Sequence, residues 1–264
     1  MADPSTDIKI LREPTVYVMG RQTVNDAEID RFLTDHGVTW QTDTEIAGEH
    51  LVETAGRICY MSFAKPRPGG NQAYLGHILE VGHGSVLEHA VWNLLFTGIS
   101  RSLTHELIRH RAGFGYSQLS QRYVDESIAE YVEPDCIADD PELHQLFLET
   151  IAQTHQAYVK LTEKLLKVFE NEPEKTLRRK LARQAARSVL PNATETKIFV
   201  TANARALRHF IELRGNRHAE TEIRKLAIAV LKILQAEAPN LFGDYQLLPL
   251  PDGTFEATTQ HRKV

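Results

Sequence analysis

The stretch "PELHQLFLETIAQTHQAYVKLTEKLLKV", Pro141 to Val168, constrains the fold more than any other part of the chain. Leu143, Phe147, Ile151, Tyr158, Leu161, Leu165 and Val168 recur at roughly helical spacing. Pro141 suits the first turn of such a helix, where its missing N–H would have no partner anyway. A helix this long has no place in an all-β sandwich or barrel. Further helices are predicted at 26–36, with Asp26 as N-cap and Gly37 past the end, and at 45–58, 72–81 and 99–110. Others are expected in "RKLARQAARSVLP", stopped by Pro191, at 204–214 closed by Gly215, and over 220–238 as the last helix, before Pro239. The alternating, β-branched runs "TVYVMG", "VWNLLFT" and "TKIFVTAN" read as strands, and "KPRPGGN" as a turn-rich loop. With no internal repeat and no linker, the expectation is one α+β domain over residues 1–264, its helices outnumbering its strands.

Charge and cysteine content narrow the function classes. A net charge of −5 over 264 residues opposes a surface that binds nucleic acid throughout, yet allows a local cationic pocket. Cys59 and Cys136 are too few for a disulfide framework or a thiolate metal site, so a reducing cytoplasm is expected. The start, "MADPSTDIKILREP", lacks the basic and apolar regions of a secretory signal, and no apolar run is long enough to cross a bilayer.

Cationic side chains cluster in two places. In "ELIRHRAGFGYSQLSQRY", Glu106 to Tyr123, three adjacent cationic or near-cationic residues (Arg109, His110, Arg111) precede a flexible loop with Gly113 and Gly115. Arg101, His105, Arg109 and His110 are expected along one side of the preceding helix. A solvated helix end would account for one or two of these residues. The whole pattern favours a phosphate-bearing ligand, because guanidinium groups grip phosphate in pairs of hydrogen bonds. Downstream, Arg178 and Arg179 read as an exposed face. "NARALRHFIELRGNRHAE" instead puts Asn203 at a helix start, Arg205, His209 and Glu212 close to one face, and Arg214 at the C-terminal end. His83, Ser85, Glu88 and His89 match no strong zinc spacing, so no metal is expected. Neither GxGxxG nor GxxxxGK[ST] occurs.

"RHRAGFGYSQLSQR" resembles the fingerprint of the flavin-dependent thymidylate synthases, Arg-His-Arg followed by Ser-x-Arg. Eight residues, Ala112 to Leu119, intervene here, one more than in the commonest form. "HGSVLEH", "GISRSLTHELIRHR", "ARSVLP", "NARALRHFIELR" and "HAETEIR" resemble further motifs of that family in the same order, so the resemblance runs from about Val52 to Pro239. Residues 1–40 or so would be a family-variable segment.

The resemblance implies a mixed α/β homotetramer with shared active sites. It implies the making of dTMP from dUMP, with a methylene group from 5,10-methylenetetrahydrofolate and reducing equivalents from NADPH through FAD. It assigns Ser85, Arg109, His110, Arg111, Gln118, Asn203, Arg205 and His209 to FAD, with His83 beside the flavin. Glu106, Arg109, Gln118, Leu119, Ser120, Gln121, Arg122, Arg187 and Arg214 match dUMP-binding positions. Glu106 stands where relatives commonly have Gln, and His209 where they often have Asn. Arg214 is the expected catalytic residue, since a fixed guanidinium stabilises a uracil ring ionised at N3. Ser120 has no His/Asp pair to activate it and is expected to position substrate. Neither cysteine lies in a matched motif, which opposes the cysteine-dependent class. The alternative is a non-enzymatic RNA- or nucleotide-binding protein that uses the same Arg/His clusters.

Overall fold

The structure, a computed structural model, describes residues 8–64 and 68–262. In chain order the elements begin with β1 (Ile10–Leu11), β2 (Thr15–Arg21), α1 (Asp26–Asp35), α2 (Ala47–Tyr60) and α3 (Gly70–Glu80). A 3-10 helix, Gly84–His89, leads to β3 (Val91–Ser100), α4 (Arg101–Leu107) and β4 (Phe114–Gln118). After a 3-10 turn at Glu126–Ile128 come β5 (Tyr131–Val132), α5 (Asp135–Ala138), α6 (Pro141–Val168) and α7 (Lys175–Ala186). A last 3-10 turn, Arg187–Val189, precedes β6 (Glu195–Asn203), α8 (Ala204–Arg214), α9 (Thr221–Glu237), α10 (Pro239–Phe242), β7 (Gln246–Pro249) and β8 (Phe255–Thr258). The mixed α and β content, with helices in the majority, agrees with the sequence expectation. Four strands form a sheet in the order β2-β3-β6-β4, and β1-β5 and β7-β8 form two-stranded sheets.

The chain divides into two compact units. The first holds residues up to 15, 96–108 and 117–198; the second holds 16–95, 109–116 and the chain from 199 onward. In the first, α6 packs on α5 and α7. Its apolar stripe buries Ile151 and Tyr158, alongside Leu103, Leu107, Tyr131, Ala182 and Ile198. Asp140 caps α6 by accepting from the N–H groups of Glu142 and Leu143, at 2.9 and 3.1 Å. β1 runs parallel to β5, with Ile10 beside Tyr131.

In the second unit α8 and α9 bury Leu207, Phe210, Ile211, Ile223, Leu231 and Leu234. A buried polar network ties three separate segments together there. Arg57 Nε donates to Glu53 at 2.8 Å, and Asn71 Nδ2 to the same carboxylate at 2.7 Å. Asn240 Nδ2 then donates to Asn71 Oδ1 at 2.9 Å, and the Asn240 N–H to Glu49 at 2.8 Å. Each buried polar atom so satisfied avoids a penalty of about 1–3 kcal/mol.

Several local expectations change. Asn25, not Asp26, caps α1, its side chain accepting from the Glu28 N–H. The helix expected from Ile99 begins at Arg101, because Ser100 is still extended (ψ 159) and its hydroxyl accepts from the Leu103 N–H at 3.0 Å. It also ends at Leu107, so Arg109 and His110 lie beyond it. The expected flexible loop contains strand β4, where pairing within the sheet outweighs the weak strand preference of glycine. The helix expected to reach Pro191 stops at Ala186 and ends in a 3-10 turn. The helix over 220–238 is not the last, since α10 follows it. Lys65, Pro66 and Arg67 of the expected turn-rich loop lie outside the described residues, while Gly70 and Asn71 open α3.

Candidate active site

In the second unit three short segments converge on the start of α8. The Asn203 side chain caps the helix, accepting from the Ala206 N–H at 2.9 Å, while its own N–H donates to the Gly113 carbonyl at 3.2 Å. The Ala204 N–H donates to the Ala90 carbonyl at 2.8 Å. Gly113 has φ +73°, and a Cβ there would fall 2.7 Å from Asn203 Nδ2. Only glycine allows this approach without strain. Beside it opens a cavity of about 460 Å³ lined by Glu88, Gly113, Asn203, Arg205, Arg208 and His209 among others. Arg205 Nη1 contacts Glu88 at 2.6 Å, and both side chains are nearly half exposed. Such a pair is worth roughly 0–1 kcal/mol, so an anionic ligand can displace the carboxylate at little cost. Arg208, by contrast, is buried and held bidentate by Asp244 at 2.7 and 2.8 Å.

At the far end of α8, Arg214 Nε donates to His110 Nε2 at 3.1 Å. His110 is 7% exposed and packs its ring against Phe114, His209 and Phe210. Burial pushes its pKa down to about 4, with further lowering from Arg214 and His209. The imidazole is therefore neutral at pH 7 and accepts at Nε2, which leaves its proton on Nδ1. The Tyr116 hydroxyl donates to the His110 carbonyl at 2.8 Å and fixes the backbone. This corrects the reading of three cationic neighbours. Arg109 and Arg111 are exposed cations flanking a buried, uncharged histidine. His83 and Ser85 are exposed around the 3-10 helix, and the His83 ring lies stacked at 6.1 Å from Tyr60.

The other expected residues fall in the first unit. Gln118 Nε2 donates to Thr104 at 3.2 Å and Thr196 at 3.3 Å, and the Leu119 N–H to the Lys197 carbonyl at 2.9 Å. The Ser120 carbonyl receives the N–H groups of Tyr123 and Val124, which folds "SQRYV" into a tight turn. Gln121 is buried; Glu106, Arg122 and Arg187 are partly so. Among the described residues, Arg101 Nη1, Gln121 Nε2, Arg122 Nε and Glu126 Oε1 are buried without a hydrogen-bond partner. Burial pushes the Glu126 carboxyl up to about 7, against the pull of Arg101. Sequence reasoning passed over Glu126, because "VDESIAE" reads as an acidic loop and nothing local reports its burial. Among the described residues no group of three or more His, Cys, Asp or Glu is arranged to hold a metal.

Residues 43–240 match the family described as Thymidylate synthase complementing protein. The chain belongs to this family. Among its relatives, a flavin-dependent thymidylate synthase of Mycobacteroides abscessus is 54% identical over 84% of this chain and 89% of its own length. One from Mycobacterium sp. strain JLS is 56% identical over 86% of this chain and 91% of its own. Among solved structures, the UMP/dUMP methylase PolB from Streptomyces cacaoi, bound with 5-Br dUMP, superposes with a TM-score of 0.63 at 20% identity. That alignment covers 89% of this chain and 96% of PolB and shows a shared fold. The family match takes in every expected site residue, from His83 to Arg214.

Proposed function

We propose that this member of the thymidylate synthase complementing family is a flavin-dependent thymidylate synthase, converting dUMP to dTMP with 5,10-methylenetetrahydrofolate and NADPH. The observation that carries the reading is Arg214, a cation held through Nε by a buried, neutral histidine. A neutral acceptor at Nε orients the guanidinium without itself adding negative charge. Placed at uracil, that charge stabilises the ring as N3–H ionises, which enriches carbon 5 in electron density for attack on the one-carbon unit.

The second unit also fits a flavin dinucleotide. Gly113 gives close backbone approach beside the cavity, and Asn203, Arg205 and His209 line it with hydrogen-bonding or cationic groups suited to a diphosphate. FAD, when bound, supplies the reducing equivalents that NADPH delivers. Ser85, Arg109, His110, Arg111 and Gln118, with His83, complete the set we assign to it. Glu106, Gln118, Leu119, Ser120, Gln121, Arg122 and Arg187, with Arg109 and Arg214, are assigned to dUMP. Unpartnered guanidinium nitrogen at Arg122 suits the nucleotide phosphate.

We read the chain as a single catalytic domain acting in a cytoplasmic homotetramer with shared sites. Mixing inactive Arg214→Ala chains with chains inactivated at Ser120–Arg122 is expected to restore activity through hybrid sites. The direct test is purification, a visible spectrum, and assay of dTMP with dUMP, methylenetetrahydrofolate, NADPH and FAD. A yellow protein that forms dTMP is expected; a protein that stays colourless with FAD and makes none would end the proposal.

A further inference from the structure

The end of the chain returns to the cavity at the start of α8. After α10 the β7-β8 hairpin packs β8 on α8 and α9, and the Ala257 N–H donates to the Gly215 carbonyl at 2.8 Å. Beyond β8, His261 lines the same cavity wall as Asn203, Arg205 and His209, and Tyr245 lines it from the approach to the hairpin. All of these residues belong to the second unit. Tyr245 and His261 lie past residue 240, where the family match ends, so none of the matched motifs includes them.

A buried arginine holds this segment in place. Arg208 is 2% exposed; its Nη1 donates to the Leu241 carbonyl at 2.6 Å and to Asp244 at 2.7 Å. Its Nη2 donates to Asp244 at 2.8 Å and to the His261 carbonyl at 3.2 Å. The guanidinium lies 4.8 Å from the centre of the Tyr245 ring, whose hydroxyl donates to the Arg208 carbonyl at 3.1 Å. Asp244 also accepts from the Thr259 hydroxyl, and that oxygen accepts from the His261 N–H at 3.0 Å. The backbone of His261 is thus fixed at its N–H and at its carbonyl. Its imidazole is only partly exposed and makes no hydrogen bond among the described residues. A ring held still on a cavity wall, with its polar atoms unmatched by protein, is completed by a ligand that supplies the missing acceptor.

We infer that this C-terminal segment supplies a further cofactor-binding residue, His261, whose imidazole donates to a phosphate oxygen of FAD alongside Arg205. The inference rests on the assignment of this cavity to the flavin dinucleotide. Glu88 and Glu212 put two carboxylates on the cavity wall, and the charge of Arg208 is matched by Asp244. Arg205 alone therefore carries little excess positive charge to a diphosphate, and the remaining oxygens need further N–H donors. A neutral imidazole has one N–H and a protonated one has two, so His261 donates in either state. Arg208 spends its own donors on protein acceptors and acts through the segment that it anchors.

The test is titration of the full chain, freed of flavin, with FAD, followed by quenching of flavin fluorescence, in the parent and in three variants. His261→Ala is expected to weaken FAD binding about ten- to thirtyfold, the lower end of what a hydrogen bond to a charged group contributes. His261→Gln keeps an N–H donor at similar reach and should recover most of the loss. His261→Phe keeps a ring without a donor and should recover none. Without flavin, the thermal midpoints of all three should stay within about two degrees of the parent, since the ring makes no hydrogen bond to protein. Equal FAD affinity in the parent and His261→Ala would overturn the inference. So would binding kept by Phe and lost by Gln, which would make the ring a stacking surface. A loss of affinity matched by a loss of flavin-free stability would make His261 structural and overturn it too. A parent that binds no FAD would instead remove the functional reading, and this inference with it.

Discussion

The two units handle their polar groups in opposite ways. In the second, Arg214 donates to His110, Arg205 meets Glu88, Asn203 caps α8 and Arg208 is clamped by Asp244, so that Arg208 Nε is its one buried side-chain atom left without a partner among the described residues. In the first, Arg101, Gln121, Arg122, Glu126 and Thr162 each bury an unpartnered atom. Unmade hydrogen bonds at buried sites cost about 1–3 kcal/mol apiece, so a chain keeps several together only where something else recovers the cost. The contrast teaches a division of labour. The second unit holds its site side chains on protein partners; in the first, open hydrogen bonds at Gln121 and Arg122 fall on residues proposed for dUMP.

The largest expected effect falls on the preorganised side. Arg214→Ala should slow single-turnover dTMP formation, at saturating dUMP with pre-reduced flavin, by about a hundred- to a thousandfold, equivalent to roughly 2.7–4 kcal/mol. Arg214→Lys should recover part of it, and both variants should keep reducible flavin. An unchanged rate would mean that Arg214 only binds substrate, and preorganisation in the second unit would lose its catalytic meaning.

Next comes the pH dependence of stability, where the two units should pull in opposite directions. His110, held at about 4 against its ordinary 6.5, binds its proton less readily when folded. It therefore contributes stability present above 6.5 and lost as pH falls toward 4. Glu126, raised to about 7 from 4.5, binds its proton more readily when folded, so its contribution is lost as pH rises from 4.5 through 7. Each effect is on the order of 3 kcal/mol at most. Chemical denaturation across pH 4–8.5 should show His110→Gln removing part of the acid-side loss and Glu126→Gln relieving the loss on the alkaline side. Equal profiles in all three proteins would erase the contrast.

Saturating dUMP at about a hundred times its dissociation constant should add about 2.7 kcal/mol to stability. Hydrogen exchange should locate the gain, with amides of 117–128 slowed more than those of 203–213. Uniform protection would show that the first unit is no less complete than the second. The smallest effect belongs to Cys59 and Cys136, both exposed and free. Replacing both by Ser should leave dTMP formation within about twofold of the parent, since an exposed thiol outside a site contributes little. A folded but inactive double variant would point instead to thiolate chemistry.

Much was legible in the chain itself wherever the signal is local. The stripe from Leu143 to Val168, with Pro141 at its head, foretold α6, because helix periodicity and capping depend on neighbours a turn away. "NARALRHFIELRG" foretold α8 together with its cap and stop. The spaced motifs from "HGSVLEH" to "HAETEIR" named the family, since ligand contacts preserve residue types at set intervals. The tertiary structure alone decided the rest. In sequence β4 resembles a loop because its pairing partner lies some eighty residues downstream, and two-residue strands such as β1 and β5 have no periodicity to read. The sequence places His110 among cationic or near-cationic neighbours; burial beside Arg214, 104 residues away, makes it a neutral acceptor. Glu126 carries no mark in its own sequence. Charge state follows from solvent exclusion and remote neighbours, and both come into being only when the chain folds.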